Sequence, residues 1–306
     1  MRLKPGRPDI GSYADRFDVP GAPGEFGVTF LGVTTLLLDD GESAVLTDGF
    51  FSRPSLPKVA VGRIAPDHAR IGAALDRVGV GRLDAVVPVH THFDHAMDSA
   101  VVAQRTGAVL AGGVSAANVG RGHGLSDEQI MVVTPGQPVG FGAFRLTWIE
   151  SEHCPPDRYP GPITAPVVPP VRAGAYRCGE AWSILVEHRS GRSALLQGSA
   201  GFVRDALAGT HADVAYLGVG QLGLQSEDYL RTYWAETVEA VGARHVVLTH
   251  WDDFFRPLDR SLRALPFAGD DLDATMRTFD ALASEQGVTL HFPTLWQRED
   301  PWAVPD

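Results

Sequence analysis

The chain has 306 residues, 44% hydrophobic and 21% charged, which suits a sizeable buried core and excludes a disordered, collagenous or small disulfide-stapled protein. Its formal charge is −11, from 37 acidic against 26 basic residues, so nucleic acid is not the expected partner. No run approaches the roughly 20 apolar residues of a membrane helix, so no membrane insertion is expected. The opening MRLKPGRPDIGSYADRF lacks the apolar centre of a signal peptide, and Cys154 and Cys178 are too few for a disulfide framework. The cytoplasm is therefore the expected address, and there a Cys154–Cys178 bridge is not expected.

VTFLGVTTLLLDD (28–40) is a long β-branched run that meets a polar turn at Asp39-Asp40-Gly41-Glu42. AVLTD (44–48) follows, which predicts an opening hairpin. Pro66 and Asp67 start a helix to about Val78, with Ile71, Ala74, Leu75 and Val78 at helical spacing. DAVVPVH (84–90) reads as a short buried strand, and MDSAVVAQRTG (97–107) as a helix stopped by Gly107. Strands at 130–133 and 144–150 precede CPPDRYPGPITAPVVPPVRAGAYRC (154–178), whose seven prolines forbid regular helix or central strand. This is a long surface loop, of the kind that is usually functional. WSILVEH (182–188) and SALLQ (193–197) predict a second hairpin around Ser190-Gly191. A strand at 212–220, a helix at 226–241, a strand at 245–250 and a helix at 271–286 follow. Each half opens on a hairpin and later ends an apolar strand on a histidine followed by acids, VVPVHTHFDH and VVLTHWDDF. That order fits one α/β domain over 1–306, a pseudo-duplicated four-layer αββα sandwich, better than two independent domains.

The strongest chemical signal is His90-Thr91-His92-Phe93-Asp94-His95, four potential metal ligands directly after an apolar strand. On extended chain His90 and His92 point to one side, and a turn into the next helix brings Asp94 and His95 round. Imidazole and carboxylate donors suit a divalent transition metal, with Zn²⁺ ahead of Fe or Mn.

This motif resembles the HxHxDH signature of the metallo-β-lactamase superfamily, and the resemblance continues in order over roughly residues 26–255. It implies an αββα sandwich with a dinuclear metal cleft and an opening hairpin that ends at the site's edge, here on Asp48. It also implies that His153, after strand 144–150, joins His90 and His92 in one metal site. His250, which ends strand 245–250, then joins Asp94 and His95 in the other. One position departs from the hydrolase majority. Where the common pattern has Gly-Asp, with a carboxylate that bridges the metals, LLQGSAGF places Ser199. Loss of that anion implies a weaker second site and resembles the subclass of true metallo-β-lactamases that also lacks the bridge.

The implied reaction is hydrolysis, in which a metal lowers the pKa of its water to about 7 and the resulting hydroxide attacks a carbonyl or phosphoryl centre. Asp94 would hold the second metal and orient the nucleophile. No GxSxG elbow surrounds Ser199, so its place in the site rests on the substitution alone. The apolar hairpins and Pro-rich loop look closer to the lactonase- and phospholipase-like branch. A small ester, lactone or phosphodiester is therefore the expected substrate. A β-lactam hydrolase, or a non-catalytic metal-binding or sensor domain, is the alternative. The loop 155–177 leaves the chain immediately after His153, so it is expected to form a wall or lid that sets substrate choice. Tyr159 and Tyr176 offer stacking groups there, and Arg172 an anion contact. Asp252 and Asp253 read equally as pocket acids or a solvated turn, and His188 and His245 as structural. A homo-oligomer is compatible with these features.

Overall fold

The computed structural model describes residues 4–304 except 23 and 25. The first half contains β1 (Gly27–Phe30), β2 (Leu36–Asp39), β3 (Ala44–Thr47), α1 (Leu56–Val61), α2 (His68–Arg77), β4 (Ala85–Val87), α3 (Phe93–Ala96), α4 (Ser99–Thr106), β5 (Val109–Gly112), α5 (Val114–Gly122) and β6 (Ile130–Val132). The second contains β7 (Val139–Phe141), β8 (Phe144–Ser151), β9 (Ala181–His188), β10 (Ser193–Gln197), β11 (Val214–Gly218), α6 (Glu227–Trp234), β12 (His245–Thr249), α7 (Leu272–Gln286), β13 (Thr289–His291) and β14 (Arg298–Glu299). They build two seven-stranded sheets, ordered β14-β1-β2-β3-β4-β5-β6 and β13-β12-β11-β10-β9-β8-β7.

The sheets face each other across a core that includes Phe30, Leu38 and Val87 from one side and Trp148, Ile184 and Leu196 from the other. On the outer face of the first sheet, Ile71 and Leu75 of α2 and Val101 and Val102 of α4 cover Leu37, Leu46 and Val86. Trp234 of α6 and Met276 and Phe279 of α7 belong to the core built on the second sheet. The layers are helix, sheet, sheet, helix, the predicted αββα sandwich. Among the described residues no helix is long and apolar enough to cross a membrane.

Local signals explain most of the elements. Asp67 caps α2 by accepting from the Ala69 and Arg70 N–H groups, and Ile71, Ala74 and Leu75 form its buried stripe. Gly107 ends α4 at φ 72°, a left-handed conformation that costs glycine little. The structure divides the opening run: β1 and β2 are separate strands, and β1–β2–β3 is a meander instead of one long hairpin. The break falls at Gly32 (φ +91°), where a Cβ would stand 1.9 Å from Arg53 Nη2. The expected helix 226–241 is α6 followed by a wider π-type turn over Ala235–Glu239. β5 and α5 fall where no element was expected. Ser115, Ala116, Ala117, Asn118, Val119 and Gly120 of α5 are all buried, so the helix carries no amphipathic stripe to read.

Strand direction positions the site. β3 and β4 run parallel. In the other sheet β8 and β10 each run antiparallel to β9, and β10, β11 and β12 are parallel, so β8, β10 and β12 all point one way. The segments after β3, β4, β8, β10 and β12 therefore leave from carboxyl ends of strands, where α/β sheets place their ligands.

Candidate metal centre

The six predicted ligands come together in two groups. His90 follows β4, His92 stands at the N-cap of α3, and Asp94 and His95 lie within that short helix. His153 follows β8 and His250 follows β12. One ligand atom from each of His90, His92 and His153 lies within 4.8 Å of the others, and the same holds for Asp94, His95 and His250. The groups adjoin: the His90 and His95 rings are 3.9 Å apart between centroids. Both ring nitrogens of His90, Nε2 of His95 and Nδ1 of His250 are buried without a hydrogen-bond partner. Buried polar atoms are normally satisfied, so this concentration of orphaned nitrogens beside a carboxylate fits divalent cations.

The scaffold holds these rings from behind. Asp48, after β3, accepts from the Val89 N–H at 2.9 Å and places Oδ2 2.9 Å from His95 Nδ1, with the Thr34 hydroxyl on the same oxygen. His153 Nδ1 lies 2.7 Å from the Cys154 carbonyl. His250 sits at φ 58° and donates its backbone N–H to the Val33 carbonyl at 2.7 Å. Asp252, fully buried, accepts from the Val33 N–H at 2.8 Å and pairs with the equally buried Arg53 at 2.7 Å. Asp252 thus clamps the His250 segment to the β1–β2 loop. Asp253 instead pairs with Arg263 and Arg7.

The sequence profile of the metallo-beta-lactamase superfamily matches residues 28–195, more than half of the chain. The chain belongs to the metallo-beta-lactamase superfamily. No curated protein matches the sequence significantly. Among solved structures, a metallo hydrolase of the archaeon Ignicoccus hospitalis is similar over 89% of this chain and 96% of its own, with 14% identity and a TM-score of 0.55. A possible metal-dependent hydrolase of Veillonella parvula is similar over 87% and 97%, at 15% identity and TM-score 0.54. CmlA, a diiron beta-hydroxylase of Streptomyces venezuelae, is similar over 92% of this chain but 55% of its own, at 13% identity and TM-score 0.53. These likenesses show a shared fold.

Electrostatics in this member of the superfamily favour cation binding. Burial and the neighbouring imidazoles hold His90 well below the ordinary imidazole value, and burial also lowers His92. Burial and the charge of His92 bring His153 down to about 4. These rings are neutral at pH 7 and keep lone pairs for a metal. Burial opposes ionisation of Asp94, but the charge of His95 and a hydrogen bond from His250 outweigh it and leave the carboxyl below its usual range. His95 is raised: burial opposes protonation, and Asp48 and Asp94 overcome it.

The remaining predicted residues separate. Ser199 is buried, and its Oγ accepts the Cys154 N–H at 3.0 Å, so this hydroxyl tethers the end of the His153 segment. Tyr159 is half-buried against the Phe93 cluster, its ring 6.4 Å from that of His92. Tyr176 is a correction: it is completely buried with its hydroxyl 3.1 Å from His123, sealed among Phe50, Phe93 and Met97, and cannot meet substrate. Arg172 is exposed and makes no hydrogen bond or ion pair with the six ligands. Cys154 and Cys178 are free and buried.

The Pro-rich loop is fastened at its base. The Cys178 N–H bonds the Tyr159 carbonyl at 2.8 Å, and Thr91, between the two ligand histidines, donates its N–H to the Cys178 carbonyl at 2.8 Å. Farther out, Ile163 and Val167 are buried in the cluster that holds Phe93 and Tyr176. Thr34, Arg53 and Asp157 were not singled out from the sequence. Thr34 lies inside an apolar run, and the other two act through partners distant in sequence.

Proposed function

We propose that this metal-dependent hydrolase of the metallo-beta-lactamase superfamily opens a small ester, lactone or phosphodiester, using two zinc-class cations. His90, His92 and His153 would hold one, and Asp94, His95 and His250 the other. The observation that carries this reading is the pair of adjoining ligand groups with no shared residue, each with at least three donors. When bound, such cations supply an activated water near neutral pH and polarise the substrate oxygen. The chain's own residues do the rest. Asp94, held ionised, offers the one carboxylate among the six and can accept a hydrogen bond from the O–H of the attacking water. Asp48 and the Cys154 carbonyl fix the orientation of His95 and His153. With serine at position 199, the second site lacks one anion and is proposed to be the weaker. The acidic overall charge disfavours nucleic acid as partner, and a small-molecule substrate, a cytoplasmic address and a single working domain are proposed with it.

Metal analysis together with a hydrolysis panel of a lactone, nitrocefin and bis-p-nitrophenyl phosphate tests the reading. Up to two transition-metal ions per chain, and chelator-sensitive turnover of the lactone or phosphodiester, are expected. Preferential turnover of nitrocefin would move the assignment to β-lactams, and bound metal without turnover of any of the three would favour a binding or sensor domain. Half-buried Tyr159 gives a second check, since it is the predicted loop aromatic nearest to His92. Tyr159→Ala should leave metal content unchanged and shift the preference between aryl and alkyl esters about tenfold in kcat/KM. Equal losses on both esters would remove Tyr159 from substrate choice.

A further inference from the structure

A histidine that binds a metal through one ring nitrogen needs an acceptor for the other, and that acceptor fixes the ring and raises its basicity. Two of the rings already show such partners, His95 on Asp48 and His153 on the Cys154 carbonyl. His92 is 7% exposed, its Nε2 is buried with no aligned hydrogen bond, and both the Asp157 carboxylate and the Tyr159 backbone lie close enough to favour its protonation. The carboxylate oxygen Oδ1 of Asp157 lies 3.1 Å from that nitrogen, at ion-pair distance but without hydrogen-bond alignment. Asp157, His92 and Cys178 form a second group of mutually close donor atoms, within 4.8 Å, in which neither His90 nor His153 takes part. Asp157 therefore sits directly beside His92, with its charge also felt at His153.

We propose that Asp157 is the positioning residue for His92. It would accept the Nε2 proton and leave Nδ1 for the cation, and it would return to the centre a negative charge that Ser199 does not supply. The loop is built to present it. Asp157 Oδ1 also accepts the Tyr159 N–H at 2.9 Å, and the Tyr159 carbonyl is tied to Cys178, which is tied to Thr91 beside His92. The Pro-rich loop thus acts on the metal centre as well as bordering it. This inference rests on the metal-centre reading above.

The test measures metal affinity of the full chain by chelator competition, and the ligand shell by X-ray absorption, with Zn²⁺ as the probe. Asp157→Ser keeps a short oxygen for the Tyr159 N–H but cannot reach His92. Asp157→Asn keeps both the turn and a neutral acceptor. Asp157→Ser should weaken one metal equivalent by about 10–100-fold, leave the other unchanged and preserve the count of nitrogen and oxygen neighbours. Asp157→Asn should lose less. Wild-type affinity in Asp157→Ser would overturn the proposal, since the carboxylate would then serve only the turn. Loss of an oxygen neighbour in that variant would also overturn it, because Asp157 would be a ligand itself. If the wild-type chain bound no Zn²⁺, the metal-centre reading would fail as well, a result distinct from unaltered binding by the variants.

Discussion

His250→Ala should abolish most of the hydrolysis, with kcat/KM falling on the order of 10³-fold, because losing a ligand forfeits several kcal/mol of charge stabilisation. About one metal equivalent should be lost at the same time. The fold should survive. The His250 ring adjoins the His95 ring at 5.1 Å between centroids, inside the cleft and outside the core clusters. His92→Ala should act similarly through the other group. Metal content, turnover and circular dichroism measured on the same preparations decide the matter, with exposed His211→Ala as the control. Full turnover in metal-free protein would rule out the metal-centre reading.

Asp252→Ala should be the most destabilising of the single changes near the site, by about 3–5 kcal/mol, because it leaves Arg53 buried and uncompensated. Both side chains of this pair are 0% exposed. Arg53 also donates to the Arg256 carbonyl at 3.2 Å, so part of its fork stays satisfied. Replacing both partners by apolar residues of similar volume, Arg53→Met with Asp252→Leu, should restore much of the loss, since the pair's mutual attraction has to offset the desolvation of two charges. Urea unfolding of the metal-free protein reads the difference. A change below about 1 kcal/mol in Asp252→Ala would show that the pair is not fully desolvated in solution.

The sandwich was legible in the sequence because its periodicities are local. Asp67 and the Ile71–Leu75 stripe specify α2 without help from the rest of the chain. The six-residue stretch from His90 to His95 announces chemistry for the same reason: ligands crowded on one segment need no tertiary knowledge. His153 and His250 became readable through the family order of strand ends. What escaped was fixed by tertiary contact. α5 hides because both of its faces are buried. Tyr176 and Tyr159 look alike as loop aromatics, yet the first is completely buried in the Phe93 cluster while the second packs on that cluster half-buried, within 6.4 Å of the His92 ring. Arg53, Asp252 and Asp157 carry no local pattern, since their meaning lies in the partner opposite. The break at Gly32 was similarly masked by the apolar run around it, although room for the Arg53 guanidinium requires it.

The crowding of four donors into residues 90–95 has a thermodynamic consequence. Chain connectivity keeps these donors near one another even when the sandwich is open, so a cation retains some affinity for the unfolded chain. His153 and His250 join only when the second sheet has closed on the first. Stabilisation by a ligand reflects the difference between its affinities for the two states. Metal should therefore raise the melting temperature of this protein by less than its affinity for the native centre alone would give. The part of that affinity which does protect the fold comes from the two histidines contributed by the second sheet.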